Sequence, residues 1–332
     1  MRIATATLAA SLVLALPAAA QEAPKGAPSP NEIVAVAPAG DWVAIAPSDL
    51  LVMTLAPDRD GNKRQVTIQL MPSPFSQGWV GNIRKLAAAH WWDGLAITRV
   101  QDNYVVQWGD PEGEDKAKAK ALPPGLSAAS EADYTLPLPT VMVVDGQASG
   151  FATDPELTPR QGEDAYAAVT GFVAGFPVAT SRPQDGPRRR VWPVHCYGMV
   201  GVGRNYSPDT GSGAELYTVI GHAPRHLDRN IALVGRVVEG IEHLSSLPRG
   251  TGALGFYEKA EQRVQIVSIR LASGLPTAEQ PRFQYLSTES DSFAQYADAR
   301  ANRRDPFFIV PAGGADICNI PVPVRRLSAA AP

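Results

Sequence analysis

Short apolar runs separated by turn residues dominate this chain of 332 residues and restrict the folds that are open to it. Strand-like runs stand at 66–70, 97–100, 104–109, 199–202, 216–220, 231–238 and 267–271. Two widely separated segments on either side of the middle region, about 77–91 and 239–247, have helical spacing. Many short strands with glycine, aspartate and proline turns are typical of an antiparallel barrel or sandwich, so the sequence predicts a mainly β fold.

The N-terminus has the layout of a secretory signal peptide. A short basic start, Met1-Arg2, precedes an apolar stretch from Ile3 to Leu16, which is too short to span a bilayer as a helix. The small residues Ala18 and Ala20 follow with cleavage-site spacing. We therefore predict a signal peptide at 1–20, removed after Ala20, and no stable membrane insertion afterwards. The protein is then expected in the periplasm if its source is a Gram-negative bacterium.

Shifts in composition divide the rest of the chain. Residues 21–50 form a predicted N-terminal extension, and its Ala-, Pro- and Gly-rich part from Gln21 to about Pro47 is expected to be a linker or an extended arm. Residues 51–274 hold the predicted strands, interrupted by a long insertion at about 112–190. Within the insertion, "TVMVVDG" predicts a strand, "EDAYAAVTGFVAGF" predicts a helix, and 182–190 is expected to be a polar loop. Residues 275–332 are polar and proline-containing and form a predicted C-terminal extension.

The chain contains two cysteines, Cys196 and Cys318. An even number of cysteines in an oxidising compartment permits a disulfide bond. Such a bond would tie the C-terminal tail to the body of the protein. The alternative interpretation is two unrelated buried thiols.

Composition and motifs argue against several classes of function. A net charge of −3 and an isoelectric point near 6.0 lack the basic excess of a nucleic-acid-binding surface. Gly201-Val202-Gly203 lacks the third glycine of a dinucleotide-binding turn. His222 and His226 are four residues apart, but Pro224 argues against the helix that would aim both at a metal. We therefore expect no nucleic-acid partner, no metal and no cofactor.

Two polar residues stand inside apolar runs that a hairpin would place side by side. Arg99 lies in "ITRV" and Gln107 lies in "YVVQWGD", with the turn-type tripeptide Gln101-Asp102-Asn103 between the two runs. A partly desolvated guanidinium needs a hydrogen-bond partner. The pair is therefore interpreted either as a buried structural contact or as a catalytic arginine held in place by an amide.

The segment "ITRVQDNYVVQWGDPEG" resembles the cyclophilin signature, in which an aromatic-His-Arg-Val run is followed by Phe-x-x-Gln-Gly-Gly-Asp. Further blocks resemble the same family in the same order: "VTIQL" with Pro72 and "GNIRKLA", then "GMVGVGRNYSPDTGSGAELYTVI", then "HLDRNIALVGRVVEGIEHL". Together the blocks cover about 51–112 and 198–271. The resemblance implies a closed eight-stranded antiparallel β-barrel with two capping helices. It also implies peptidyl-prolyl cis-trans isomerase activity, here in an exported bacterial member.

The resemblance also implies site residues by position. Arg99 matches the family's catalytic arginine, and Gln107 matches the glutamine that orients it. The resemblance implies a proline pocket formed by Tyr104, Val105, Tyr217, the strand aromatic residue, and Leu227. It places Gly203 and Arg204 at the substrate-backbone site, and Glu215 and His226 are further implied substrate-binding residues.

Three positions depart from the family pattern. Glu215 stands where the family has a second glutamine, or Ala214 does if a one-residue insertion is placed differently. His226 replaces a variable aromatic residue, and Ile231 stands where many members have histidine. These departures bear on substrate range and turnover more than on the fold.

Three hypotheses for function follow from this reading. The first is a prolyl isomerase that assists the folding of exported, proline-containing polypeptides. The second is a catalytically weak cyclophilin-like module that binds proline peptides or acts as a chaperone. The third is an unrelated β-rich structural protein.

Overall fold

The computed structural model describes residues 26–138, 142–144, 147–149, 164–186 and 188–328. Its helices are α1 Pro30–Val36, α2 Gln77–Ala88, α3 Glu242–Ser245 and α4 Asp291–Ala301. Its strands are β1 Trp42–Ala44, β2 Leu50–Leu55, β3 Arg64–Leu70, β4 Ala96–Val100, β5 Val105–Gly109, β6 Leu136–Pro137, β7 Met142–Val144, β8 Gln147–Ser149, β9 Val169–Val173, β10 Phe176–Thr180, β11 Arg190–Pro193, β12 Met199–Val202, β13 Leu216–Val219, β14 Leu233–Glu239, β15 Val264–Leu271, β16 Phe283–Leu286 and β17 Val324–Arg326.

Eight strands close into one barrel, which confirms the predicted fold class. Their order around the barrel is β12-β13-β5-β4-β15-β2-β3-β14, and every neighbouring pair is antiparallel. Closure leaves no unpaired sheet edge, which would otherwise be open to association with other strands.

The barrel interior is filled by alternate residues of its strands, because successive side chains of a strand point to opposite faces. In β5, Val106 and Trp108 are fully buried in the core, whereas Gln107 between them lies on the outer face. Helix α2 packs against this core through Trp79, Ile83 and other buried residues at helical spacing.

The predicted helix at 163–176 is wrong, because its second half forms a β-hairpin. Strands β9 and β10 pair from Val173 opposite Phe176, which leaves Ala174-Gly175 as a two-residue turn. Both turn residues have positive φ angles, +47° and +79°, as a type I′ hairpin turn requires. The insertion thus contains a four-stranded sheet in the order β6-β11-β10-β9, and "TVMVVDG" contributes β7, which pairs with β8. The predicted polar loop ends at Arg190, where β11 begins.

The two terminal extensions pack together as one unit, so the expectation of a linker or extended arm is wrong for residues 30–44. Ser29 and Glu32 form a capping box at the start of α1, with Pro30 in the first turn. Strand β1 pairs with β16, which also pairs with β17. This terminal module has its own buried cluster: Ile33, Trp42, Leu286, Phe293, Tyr296, Ala297 and Ile320.

A disulfide bond joins Cys196 to Cys318, which are 122 residues apart. Cys196 lies just before β12 of the barrel, and Cys318 lies in the 3-10 turn Ile317–Asn319 of the tail. The bond therefore fixes the terminal module to the barrel covalently.

The predicted signal peptide at 1–20 lies outside the described residues. Among the residues that are described, no helix is both long enough and apolar enough to cross a bilayer.

We expect Cys318→Ser to lower the free energy of unfolding by about 2–5 kcal/mol, because the disulfide limits the freedom of a long unfolded loop. Urea unfolding of the oxidised wild type and of the variant measures the difference. As a control, dithiothreitol should destabilise the wild type by a similar amount and leave the variant unchanged. Equal stability of the oxidised wild type and the variant would contradict this account.

Candidate active site

A β-bulge at Thr98 brings Arg99 to the outer face of the barrel. Ile97 pairs with Trp108, but the next pairing joins Arg99, and not Thr98, to Gln107. Residues directly opposite in an antiparallel pair share a face, and Trp108 points into the core. Without the extra residue in β4, the arginine would therefore face the barrel interior.

Cross-strand pairing extends this position into a row on the outer face. Gln107 of β5 pairs with Tyr217 of β13, and Tyr217 pairs with Gly201 of β12. Arg99, Gln107, Tyr217 and Gly201 thus follow one another across four neighbouring strands. The pairing register of the barrel strands therefore places the predicted catalytic pair, Arg99 and Gln107, next to Tyr217, the predicted aromatic residue of the proline pocket.

The guanidinium of Arg99 is half-buried and held from several sides. It donates from Nη1 to Gln107 Oε1 at 3.3 Å, from Nε to Leu254 O at 2.7 Å, and from Nη2 to the Gln101 side chain. Its carbon Cζ lies 5.6 Å from the centroid of the Tyr104 ring. A guanidinium has five N–H donors, so two remain for a ligand beyond its bonds to the described residues.

Glu215 supports the same pair from the other side. Its carboxyl accepts a bond from the backbone N–H of Asp110 at 2.6 Å and a bond from the side-chain amide of Gln107. Burial raises the pKa of this carboxyl to about 7. Gln107 therefore lies between Arg99 and an acid that changes charge near neutral pH.

An apolar cluster lies beside the row. Val105, Tyr217 and Val219 form a buried cluster, and partly buried Tyr104, Leu227 and Ile231 pack against it. The four residues predicted for the proline pocket are therefore together, joined by Ile231. The ring of His226, an exposed residue, stacks on Tyr104 with centroids 6.3 Å apart.

The predicted substrate-backbone residues lie at the end of β12. A Cβ on Gly203 would come within 2.9 Å of Glu215 Cβ, so glycine permits this close approach. The side chain of Arg204 is bonded to a neighbouring loop: its Nε and Nη2 both donate to Asn230 O, at 3.0 and 2.9 Å. The side chain of Arg204 thus anchors the loop that precedes Ile231.

Two contributors to the site were missed from the sequence. The segment around Phe256 forms a bridge to Arg99 of β4, beyond the residues of β4 that pair with β15, and the Phe256 ring centroid is 5.4 Å from the guanidinium. Leu254 is 66% exposed and has a φ of +55°, which is uncommon for a branched residue. The glycines of "GTGALGFY", residues 250–257, indicate only a turn. Nothing in the sequence indicates which strand this turn contacts.

Gly201 is the third residue whose role the sequence did not indicate. A Cβ at this position would lie 2.3 Å from the Tyr217 hydroxyl oxygen and 2.4 Å from Cζ of the ring. The Tyr217 ring therefore lies directly over the Gly201 backbone.

No cluster of three or more histidine, cysteine, aspartate or glutamate side chains suited to a metal ion occurs within the described part of the chain.

A closed eight-stranded antiparallel barrel with an arginine–glutamine pair beside an apolar cluster on its outer face defines the class of protein. The sequence profile of the family described as "Cyclophilin type peptidyl-prolyl cis-trans isomerase/CLD" matches residues 60–271. The chain therefore belongs to the cyclophilin-type peptidyl-prolyl cis-trans isomerases.

One solved cyclophilin structure supports the fold assignment. The cyclophilin AquaCyp293 from Hirschia baltica is 20% identical with a TM-score of 0.60, covering 86% of this chain and 93% of its own. A cyclophilin-type isomerase from Cryptosporidium parvum is 10% identical with a TM-score of 0.37, covering 67% of this chain and 97% of its own. The Cryptosporidium parvum protein in the presence of the dipeptide Ala-Pro is 12% identical with a TM-score of 0.35, covering 66% and 98%. No curated protein matches this chain.

We expect the free energy of unfolding of Glu215→Gln, taken relative to that of the wild type, to be about 1–3 kcal/mol higher at pH 8 than at pH 4. The folded carboxyl, with its pKa near 7, holds its proton more tightly than the unfolded one. The contribution of Glu215 to wild-type stability therefore falls as the pH rises from about 4.5 to about 7. Glutamine does not titrate, so the variant does not show this fall.

Urea unfolding at both pH values measures the effect of Glu215→Gln. The exposed substitution Glu279→Gln is the control for the chemical change. A stability difference between variant and wild type that is the same at pH 4 and pH 8 would show that the buried carboxyl does not act in this way.

We expect Gly201→Ala to displace the Tyr217 ring and to weaken proline-peptide binding by about fivefold or more, because overpacking a buried contact costs about 1–3 kcal/mol. NMR titration with an Ala-Pro peptide measures the affinity. Gly274→Ala is the control, since a Cβ at that position meets nothing within 4 Å. Unchanged affinity in Gly201→Ala would remove Tyr217 from the proposed pocket.

Proposed function

We propose that this chain accelerates rotation about Xaa-Pro peptide bonds, with Arg99 as the catalytic residue and Gln107 as its positioning residue. The observation that carries the proposal is the guanidinium of Arg99, fixed by Gln107 at the edge of the Tyr104–Val105–Tyr217–Leu227 pocket. A cation with N–H donors left for a ligand, beside apolar and aromatic side chains, suits a bound proline.

The reaction needs no covalent step. Amide resonance gives the bond a rotation barrier of about 18–20 kcal/mol, and the twisted transition state breaks that resonance. The prolyl nitrogen then regains a lone pair that can accept a hydrogen bond. A fixed donor that meets this lone pair binds the twisted form better than either planar form and so lowers the barrier.

Arg99 alone does not supply the whole effect. A rate gain of about 10⁴ requires about 5.5 kcal/mol, whereas one charge-assisted hydrogen bond contributes about 1.5–3 kcal/mol. The remainder is assigned to the pocket, which would hold the pyrrolidine ring still while the preceding residue rotates. Tyr104, Val105, Tyr217 and Leu227 are the proposed pocket walls, with Gly203 next to the bound backbone.

The proposed setting is the periplasm, and the proposed substrates are exported polypeptides that contain proline. The signal-peptide pattern at 1–20 supports export. The Cys196–Cys318 disulfide supports an oxidising compartment, because such bonds are rare in the cytosol.

A second candidate function is binding of proline peptides with little turnover. It is favoured by the engagement of Arg99 with Leu254, Gln101 and Gln107, which leaves only part of its fork for a substrate. Glu215 and Ile231, which depart from the family pattern, add to this argument. The two functions share the pocket and differ in whether exchange is accelerated.

We expect Arg99→Ala to lower the isomerase kcat/KM by at least about tenfold, because the charge-assisted bond in the transition state is lost. Arg99→Lys should recover only part of the activity, because lysine keeps the charge but not the planar fork that serves Gln107 and substrate together. NMR exchange spectroscopy on one Ala-Pro peptide measures all the rates.

The control is Arg59→Ala, which removes an exposed arginine from the hairpin between β2 and β3. Equal rates for wild type and Arg99→Ala would rule out the proposed mechanism. Saturable binding by the wild type without any acceleration would favour the second candidate.

A further inference from the structure

A buried hydrogen-bonded network lies directly behind the proposed pocket, and two of its members, His195 and Asp228, have no part in the chemistry described so far. The Tyr217 hydroxyl is 2.9 Å from His195 Nε2, and His195 Nδ1 is 2.9 Å from Asp228 Oδ1. All three side chains are buried, with relative exposures of 5%, 0% and 4%. The imidazole and the Tyr217 ring are nearly parallel, at 11°.

The charge of Asp228 sets the direction of the hydrogen bonds that it makes. Burial raises the pKa of Asp228, but bonds from His195 and attraction to His195 and Arg225 outweigh it and hold the pKa below its ordinary value. An ionised carboxylate only accepts, so His195 Nδ1–H donates to it, as does the His195 backbone N–H at 3.0 Å. Burial also raises the pKa of Tyr217 well above its usual value, so the hydroxyl keeps its proton.

Asp228 connects two residues of the proposed pocket. Through His195 it is linked to Tyr217 of β13, and through its other oxygen it accepts a hydrogen bond from Arg225 Nε at 2.7 Å. Arg225 begins the 3-10 turn Arg225–Leu227, which also carries Leu227 of the proposed pocket. One carboxylate is therefore bonded both toward Tyr217 and toward the turn that carries Leu227.

The hydrogen-bonded network continues into the insertion. Arg225 Nη1 and Nη2 donate to the two oxygens of Asp164 at 3.0 and 3.2 Å. The guanidinium carbon also lies 5.1 Å from the centroid of the Tyr166 ring. Asp164 and Tyr166 precede β9, so this part of the insertion contacts the network through Arg225.

Packing alone does not require these groups. A phenylalanine at 217 would fill the same volume, whereas burying a hydroxyl, an imidazole, a carboxylate and a guanidinium is costly unless every partner is satisfied. A fully satisfied buried network, in return, restricts side chains to one arrangement. That arrangement here is the rotamer of Tyr217 and the position of the turn that carries Leu227.

We propose that His195 and Asp228 are positioning residues for proline recognition, which hold Tyr217 and Leu227 at the separation that accepts a pyrrolidine ring, with Arg225 and Asp164 as outer support. This inference rests on the proposed function, because it concerns the same pocket. It assigns specificity to residues that never touch the substrate.

The test compares Tyr217→Phe, Asp228→Asn and the double variant with the wild type, using peptide Kd, KM and kcat for one Ala-Pro peptide. Each single variant is expected to raise Kd and KM about three- to tenfold, with kcat changed less than about twofold. The factor by which the double variant raises Kd should be smaller than the product of the factors for the two single variants, because both substitutions act through His195.

Tyr296→Phe is the matched control, since it removes another buried hydroxyl, bonded to Pro321 O at 2.6 Å, from the terminal module. It should lower thermal stability and leave Kd and KM unchanged. If Asp228→Asn does not fold, Tyr217→Phe decides alone, because it removes a single oxygen.

Lower stability in Tyr217→Phe with Kd and KM within twofold of the wild type would overturn the positioning role. So would a double variant whose effect equals the product of the single effects. Failure of the proposed function is recognised separately, because the wild type would then bind the peptide without accelerating its cis-trans exchange. In that case the peptide Kd would still test the positioning role.

Discussion

The site depends on one extra residue in β4. The bulge at Thr98 shifts the pairing so that Arg99, and not Thr98, stands opposite Gln107. An arginine inside the barrel would lose its hydration among residues such as Trp108, at a cost of several kcal/mol. On the outer face the same side chain is half-buried, bonded and next to the pocket. Closure of the barrel then fixes Tyr217 in the neighbouring position, because register in a closed sheet is shared by all strands.

The barrel could be predicted from the sequence because its signals are local. Period-two runs, turn residues and ordered family motifs each lie within a few residues, and they placed Arg99 and Gln107 side by side. The insertion hairpin was missed because Ala174 occupies a positive-φ turn position where asparagine or glycine is the usual signal. Helix α1 was missed because seven residues have little helical stability alone and depend on contacts with α4, about 260 residues later.

The rest of the site could not be predicted because it depends on contacts that only the fold creates. Leu254 reaches Arg99 from 155 residues away. His195 showed no pattern in the sequence, yet it lies between Tyr217 and Asp228 at hydrogen-bonding distance from both. Glu215 could be recognised only as a departure from a motif, and its contact with Gln107 depends on how strands β5 and β13 pair. Such contacts carry no periodicity, so no sequence window contains them.

The parts added to the barrel converge on the segment just before β12. Cys196 in that segment bonds the tail through Cys318. The adjacent residue, His195, leads through Asp228 and Arg225 to the insertion at Asp164. A strand tied at its base by a covalent bond and by a buried polar network has little freedom to shift. Since β12 contains Gly201 and is followed directly by Gly203, the insertion and the extensions stabilise the geometry on which the proposed proline pocket depends.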